Sequence, residues 1–209
     1  AVGTSTDAYF IGGSVPTGSS PTLRDLVEAW DGSSWTETTE FNTARDNAGN
    51  AGSTSAAIIF GGYDGSTRVA NTEVWNGSAW TEVGDLNTAR NTTGGSGTYT
   101  SGLMSGGNTS PGLTAATEEY NGTAWSTVTL MPRDGGNGTS GANLQTDMYC
   151  VAGGPGNLTT SLVYDGTNWT SGTSLSGDGR RGCGGAMATS SSAGFVTCGE
   201  TATVNPVSI

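Results

Sequence analysis

Carboxylates, arginines and indoles are the side chains in this sequence that could do chemistry. The chain carries 18 Asp and Glu against seven positive residues, every one an arginine, with no lysine and no histidine. A net charge of −11 leaves no basic face able to neutralise phosphates, so nucleic acid is not an expected partner. Lack of histidine removes the Ser-His-Asp triad, the imidazole base and the imidazole metal ligand, and lack of lysine removes the Schiff base and the P-loop amine. Two carboxylates could still hydrolyse a glycosidic bond. The acidic residues, however, recur with a repeat or sit near turns, as do Asp31, Asp64, Asp134 and Asp165, and no Asp-x-Asp-x-Asp-Gly run supports calcium. We therefore expect no catalytic residue, no metal ligand, no cofactor and no enzyme.

The six tryptophans, Trp30, Trp35, Trp75, Trp80, Trp125 and Trp169, could form a ring of sugar-stacking platforms, or they could be core residues. Their strict recurrence favours the core. The recurring arginines could hold acidic ligands, but the commoner use is to pair with backbone carbonyls or with a carboxylate such as Glu37 or Glu82. Cys183 and Cys198, placed symmetrically about Ser190-Ser191-Ser192, could face each other across a hairpin or be two buried thiols. No run approaches the roughly 18–20 apolar residues of a membrane span, and the first residues lack a basic, apolar leader pattern. No membrane contact is expected.

Three signatures repeat in fixed order. An apolar run ending in a double glycine occurs at Gly12-Gly13, Gly61-Gly62, Gly106-Gly107 and Gly153-Gly154, with a degenerate copy at Gly199, and the first glycines lie 49, 45, 47 and 46 residues apart. An aromatic hairpin follows as Trp30-Asp31-Gly32-Ser33-Ser34-Trp35, Trp75 to Trp80, Tyr120 to Trp125 and Tyr164 to Trp169. An arginine opening a Gly-rich run follows that, at Arg45, Arg90, Arg133 and Arg181 or its neighbour Arg180. Residues 27–45 and 72–90 share 11 of 19 identities.

Asp-Gly or Asn-Gly between strand-forming runs predicts a tight primed hairpin, in which positive φ suits both residues. Ile58-Ile59-Phe60-Gly61-Gly62 reads as a buried strand ending in a sharp turn, and the Gly, Ala, Ser and Thr runs after each arginine suit strands crowded near an axis. The unit is then a small inner strand, an apolar strand, a strand ending in an aromatic and an outer strand beginning with Trp. Four short antiparallel strands every ~45 residues, with no helical periodicity, predict an all-β fold, a β-propeller of four-stranded blades. We expect one domain over 1–209, with repeats at about 1–40, 41–85, 86–129, 130–175 and an incomplete 176–209, hence five blades, or six or seven in a longer parent chain.

Arginine, small strand, apolar strand, Gly-Gly, aromatic and Trp in that order resemble the kelch repeat over essentially the whole chain. The Asp/Asn-Gly-Ser/Thr-x-Trp hairpin followed by Thr-Ala-Arg resembles more closely the kelch-like repeats of virion structural proteins of tailed phages, notably those of marine cyanobacteria. Gly49, Gly94 and Gly184 stand where kelch repeats commonly have a histidine after the arginine. The resemblance implies a non-enzymatic structural or adhesive module of a phage particle (fibre, tail or capsid surface), extracellular in the virion. Its expected partners are other virion proteins, further copies of itself in a homo-oligomer, or a host-surface glycan. The other expectation is a secreted, lectin-like carbohydrate-binding propeller. The loops between Gly-Gly and the aromatic vary in length among copies, and the longest, from Gly13 to Trp30, carries an insertion, Ser14 to Val27, that is the expected contact surface.

Overall fold

A computed structural model describes residues 1–17, 20–135, 140–151, 159–177, 180–181, 184–187, 194–197 and 200–201. Among them there is no helix. Four antiparallel sheets of four strands follow one another along the chain. Sheet 1 holds β1 (Val2–Gly3), β2 (Ala8–Thr17), β3 (Ser20–Trp30) and β4 (Trp35–Glu37). Sheet 2 holds β5 (Gly49–Ser53), β6 (Ala56–Phe60), β7 (Thr72–Trp75) and β8 (Trp80–Glu82). Sheet 3 holds β9 (Gly94–Thr98), β10 (Ser101–Ser105), β11 (Thr117–Tyr120) and β12 (Trp125–Thr127). Sheet 4 holds β13 (Ser140–Leu144), β14 (Asp147–Val151), β15 (Ser161–Tyr164) and β16 (Trp169–Ser171). Beyond them, β17 (Arg180–Arg181) pairs with β20 (Glu200–Thr201), and β18 (Gly184–Met187) pairs with β19 (Gly194–Thr197).

Each sheet runs in chain order from a small-residue strand to a Trp-led strand, as the motifs predict. The first strands β1, β5, β9, β13 and β18 lie side by side in succession. Their small residues are a steric requirement there: a Cβ on Gly95 would lie 2.2 Å from the carbonyl oxygen of Asn50 on the neighbouring sheet.

Two local expectations are corrected. The register pairs Trp30 with Trp35, Trp75 with Trp80, Tyr120 with Trp125 and Tyr164 with Trp169, so each hairpin loop has four residues and is not a two-residue primed turn. Only the glycine has positive φ, at 93°, 94°, 93° and 90° for Gly32, Gly77, Gly122 and Gly166. The Asp or Asn acts through its side chain instead. Asp31 Oδ1 accepts the backbone N–H of Ser33 and of Ser34, both at 2.8 Å, and Asn76, Asn121 and Asp165 do the same in their loops. Asp64 builds a fifth such loop with Ser66 and Thr67. The second correction concerns the insertion after Gly13. It is a paired arm, not a loop, with β2 and β3 in register from Gly13↔Arg24 to Thr17↔Ser20, and Pro16 opposite Pro21 puts both missing donors on one rung.

Sheet 4 departs from the alignment drawn on double glycines. Met148 pairs with Tyr164 and Cys150 with Leu162, as Ala57 pairs with Trp75 and Ile59 with Glu73. Cys150 thus sits one residue away from the place that Gly153-Gly154 would give it. Those two glycines, and Cys183 and Cys198, lie outside the described residues.

The mixture of acid and amide at one loop position makes a pH prediction. Backbone N–H groups of Ser34 and Ser33, with the Ser33 hydroxyl, hold the Asp31 carboxyl down at about 2, against 3.8 for the free group, and the same kind of donors lower Asp64 and Asp165. A folded value below the unfolded one means that these caps are fully formed above pH ~4 and are lost as pH falls through the folded value. Amide chemical shifts of Ser33, Ser34, Thr67 and Thr167 should therefore move between pH 4 and about 2. Those of Ser78 and Thr123, capped by neutral Asn76 and Asn121, should stay put.

Candidate functional site

The recurring residues converge on the joints between successive sheets. Each sheet buries one face against the next. Val2, Val27 and Phe41 meet Ala57, Ile59, Trp75 and Trp80 at the first joint. Ala51, Ile58, Phe60 and Leu86 meet Met104, Tyr120 and Trp125 at the second. Leu103 and Met131 meet Met148, Cys150, Leu162, Tyr164 and Trp169 at the third. Burying one such large side chain contributes roughly 1.5–3 kcal/mol. Burial of Cys150 also pushes its thiol up to about 11, so the sulfur is an inert packing atom at neutral pH.

The aromatics belong to this packing. Trp75, Trp80, Trp125 and Trp169 are buried, and each hairpin pair is tilted face to face, with centroids 5.6 Å apart for Trp75–Trp80 and 5.1 Å for Tyr164–Trp169. Each buried indole N–H is used: Trp125 donates to Thr72 Oγ1 at 3.0 Å and Trp169 to Thr117 Oγ1 at 2.9 Å, both on the preceding sheet. In sheet 1 that threonine is replaced by Val27, and Trp80 turns instead to the carbonyl of Thr39 in the link, at 3.1 Å. Trp30 is partly buried and donates to the Ser5 carbonyl, while Trp35 is 50% exposed.

Arg45 and Arg90 clamp the first two joints. The double glycine of one sheet receives the arginine's backbone: Gly13 N–H donates to the Arg45 carbonyl at 3.2 Å and Gly62 N–H to the Arg90 carbonyl at 2.8 Å. The preceding glycine must lack a side chain, because Gly61 has φ +62° and a Cβ there would lie 2.5 Å from the Arg90 oxygen. The arginine's side chain then enters the next sheet. Arg45 Nη1 lies 3.0 Å from Glu73 Oε1 on β7, and Arg90 Nη2 bonds Glu118 Oε1 on β11, with all four side chains at most 2% exposed. The other carboxylate oxygen accepts two donors of a single asparagine: Asn42 N–H and Nδ2, both at 2.7 Å, for Glu73, and Asn87 N–H and Nδ2, both at 2.8 Å, for Glu118. Burial lowers both arginine pKa values and the facing glutamate opposes the shift. The partners are Glu73 and Glu118, and neither Glu37 nor Glu82 takes this role; Glu82 accepts Asn71 Nδ2 at 2.7 Å.

The third joint has lost the clamp as a unit. Gly107 N–H donates to the carbonyl of Gly135, at 2.7 Å, so Gly135 and not Arg133 fills the place of Arg45 and Arg90. Counting back from Gly135, Pro132 stands where Asn42 and Asn87 stand and has no N–H to give. Leu162 stands where Glu73 and Glu118 stand. Arg133 instead donates to the Thr160 carbonyl at 3.2 Å. The Arg181 side chain lies outside the described ones. A buried guanidinium without its carboxylate, or the reverse, is more costly than an apolar substitute for both, which accounts for the three changes occurring together. The glutamates and asparagines were the residues that sequence reasoning missed. Their signal was a spacing of 28 residues, from 45 to 73 and again from 90 to 118.

Among the described residues no three acidic or cysteine side chains converge as a metal site. Fold and joints together define an all-β repeat protein whose four-stranded sheets are packed face to face through shared plugs and clamps. No family model and no curated protein matches the chain. Among solved structures, that of YjhT is similar in fold: the TM-score is 0.65 at 13% identity, over 84% of this chain and 69% of that one.

The joints predict a non-additive mutant series. Glu118→Leu alone should cost about 3–5 kcal/mol in urea unfolding, because Arg90 is then buried without its counter-charge. The triple change Asn87→Pro, Arg90→Gly and Glu118→Leu, which copies the third joint, should recover most of that loss. Gly61→Ala should cost more than ~1 kcal/mol, whereas Gly112→Ala, with nothing within 4 Å of its added Cβ, should be near neutral.

Proposed function

We propose that the sheets are blades of a five-bladed, kelch-like β-propeller, with the repeats bounded as the sequence sets them, and that this propeller is a non-enzymatic structural or adhesive module of a phage particle. The observation that carries the reading is where the repeated chemistry goes. Arg45, Arg90, Glu73, Glu118, Asn42, Asn87 and four of the six indoles are consumed in holding one sheet to the next, and among the described residues no constellation is set apart for catalysis. Among the described residues the largest departure from the repeat in strand length is the β2–β3 arm, 10 and 11 residues long against five and four in β6 and β7. It projects past the sheet with Val15 exposed. An arm on a rigid scaffold is a contact device, and the phage setting follows from the resemblance of the hairpin and Thr-Ala-Arg motifs to virion kelch-like repeats. Its partners in this reading are other virion proteins or the host surface, outside the cell.

A carbohydrate-binding, secreted module is the second reading, favoured only by the exposed Trp35. One experiment separates the two. Residues 14–23 are replaced by Asn-Gly, joining Gly13 to Arg24, and the variant is assayed for folding by circular dichroism and for incorporation into particles. We expect a folded protein that no longer incorporates; unchanged incorporation would defeat the arm's role. A glycan array should be silent, and specific binding lost on Trp35→Ala would support the lectin instead.

A further inference from the structure

Two of the four aromatic hairpin loops carry an Asn-Gly step and two carry Asp-Gly, on the same backbone. Asn76 Oδ1 accepts the N–H groups of Ser78 and Ala79, both at 3.0 Å, and Asn121 Oδ1 accepts those of Thr123 and Ala124, both at 3.0 Å. Asp31 and Asp165 make the same two bonds at 2.7–2.8 Å. The following glycine has φ between 90° and 94° in all four loops. Acid and amide are therefore interchangeable at this position. Residues 76–79 and 121–124 are exposed, and the Gly77 and Gly122 N–H groups donate to no described acceptor.

We propose that Asn76 and Asn121 are sites of spontaneous deamidation, and that the aspartate formed rebuilds the loop already present at Asp31 and Asp165. The backbone nitrogen of Gly77 loses its proton and attacks Asn76 Cγ, the side-chain nitrogen leaves as ammonia, and a five-membered imide joins side chain to main chain. Water then opens the imide. Cleavage of the Cγ–N bond restores the peptide and leaves aspartate, whereas opening at the backbone carbonyl leaves isoaspartate, which lengthens the loop by a methylene. Glycine matters because it has no Cβ to shield the attacking nitrogen. Asn168 is also exposed in a hairpin loop but is followed by Trp169, and Asn91 and Asn108 are followed by threonine. Because the cap bonds hold the Asn76 side chain in place, attack waits on opening of the loop, and the folded chain converts more slowly than the unfolded one. Each conversion adds one negative charge to a chain already at −11 and turns a neutral cap into one that titrates. A third such step, Asn137-Gly138, lies outside the described residues. The inference is independent of the virion reading.

The test incubates the 209-residue chain at mildly alkaline pH, native and in urea, and follows each asparagine by peptide mapping and mass spectrometry. In the native chain Asn76 and Asn121 should convert at least about tenfold faster than Asn91, Asn108 and Asn168, since a side chain on the next residue hinders ring closure. Both should convert more slowly than in urea. In the converted chain, and in the double variant Asn76→Asp with Asn121→Asp, the Ser78 and Thr123 amide shifts should move between pH 4 and about 2 as those of Ser33 do. A native chain that stays unconverted while the urea control converts overturns the proposal. Conversion at Asn168 that keeps pace with Asn76, or isoaspartate as the sole product, overturns it too.

Discussion

A charge taken out of water must find its opposite, and the joints of this protein are organised by that demand. Arg45 and Arg90 each belong to a link between two sheets. The backbone carbonyl is held by the sheet behind, through Gly13 or Gly62, and the guanidinium by a glutamate of the sheet ahead. One residue thereby fixes the position of two sheets relative to the link, and the neighbouring asparagine gives two donors to the other oxygen of the carboxylate. Such a clamp is valuable for geometry more than for energy, because an apolar substitute of the same volume can be as stable.

The third joint illustrates this. With Pro132, Gly135 and Leu162 in place of asparagine, arginine and glutamate, the contact remains a packed cluster around Met131, Met148 and Trp169. Aromatic pairs and the apolar plugs Phe41, Leu86 and Met131 are common to all three joints, so the hydrophobic contribution is constant while the electrostatic one is optional.

Repetition of this kind spends the chemically capable side chains on architecture. What breaks the repeat among the described residues is the arm formed by β2 and β3, a surface feature carried on sheet 1.

The strand order, the double glycines and the aromatic hairpins were all legible in the sequence, because period, glycine placement and aromatic spacing are local properties of a chain with 36 glycines and a ~45-residue unit. Local pattern was less reliable for turn chemistry. Asp31 and Asn76 suggested positive φ, yet they serve by capping two N–H groups, since a four-residue loop needs only its glycine in that region. The arm from Gly13 to Arg24 read as a loop because prolines at 16 and 21 suppress the strand signal, although placed opposite each other they disturb a single rung. What only tertiary structure decided is who meets whom: Arg45 with Glu73, Gly135 and not Arg133 in the arginine's place, Trp169 with Thr117, Phe10 and Trp35 left in water. Those outcomes depend on the stacking of one sheet on the next, and contacts between residues tens of positions apart are set by packing and charge burial rather than by any periodicity of the chain.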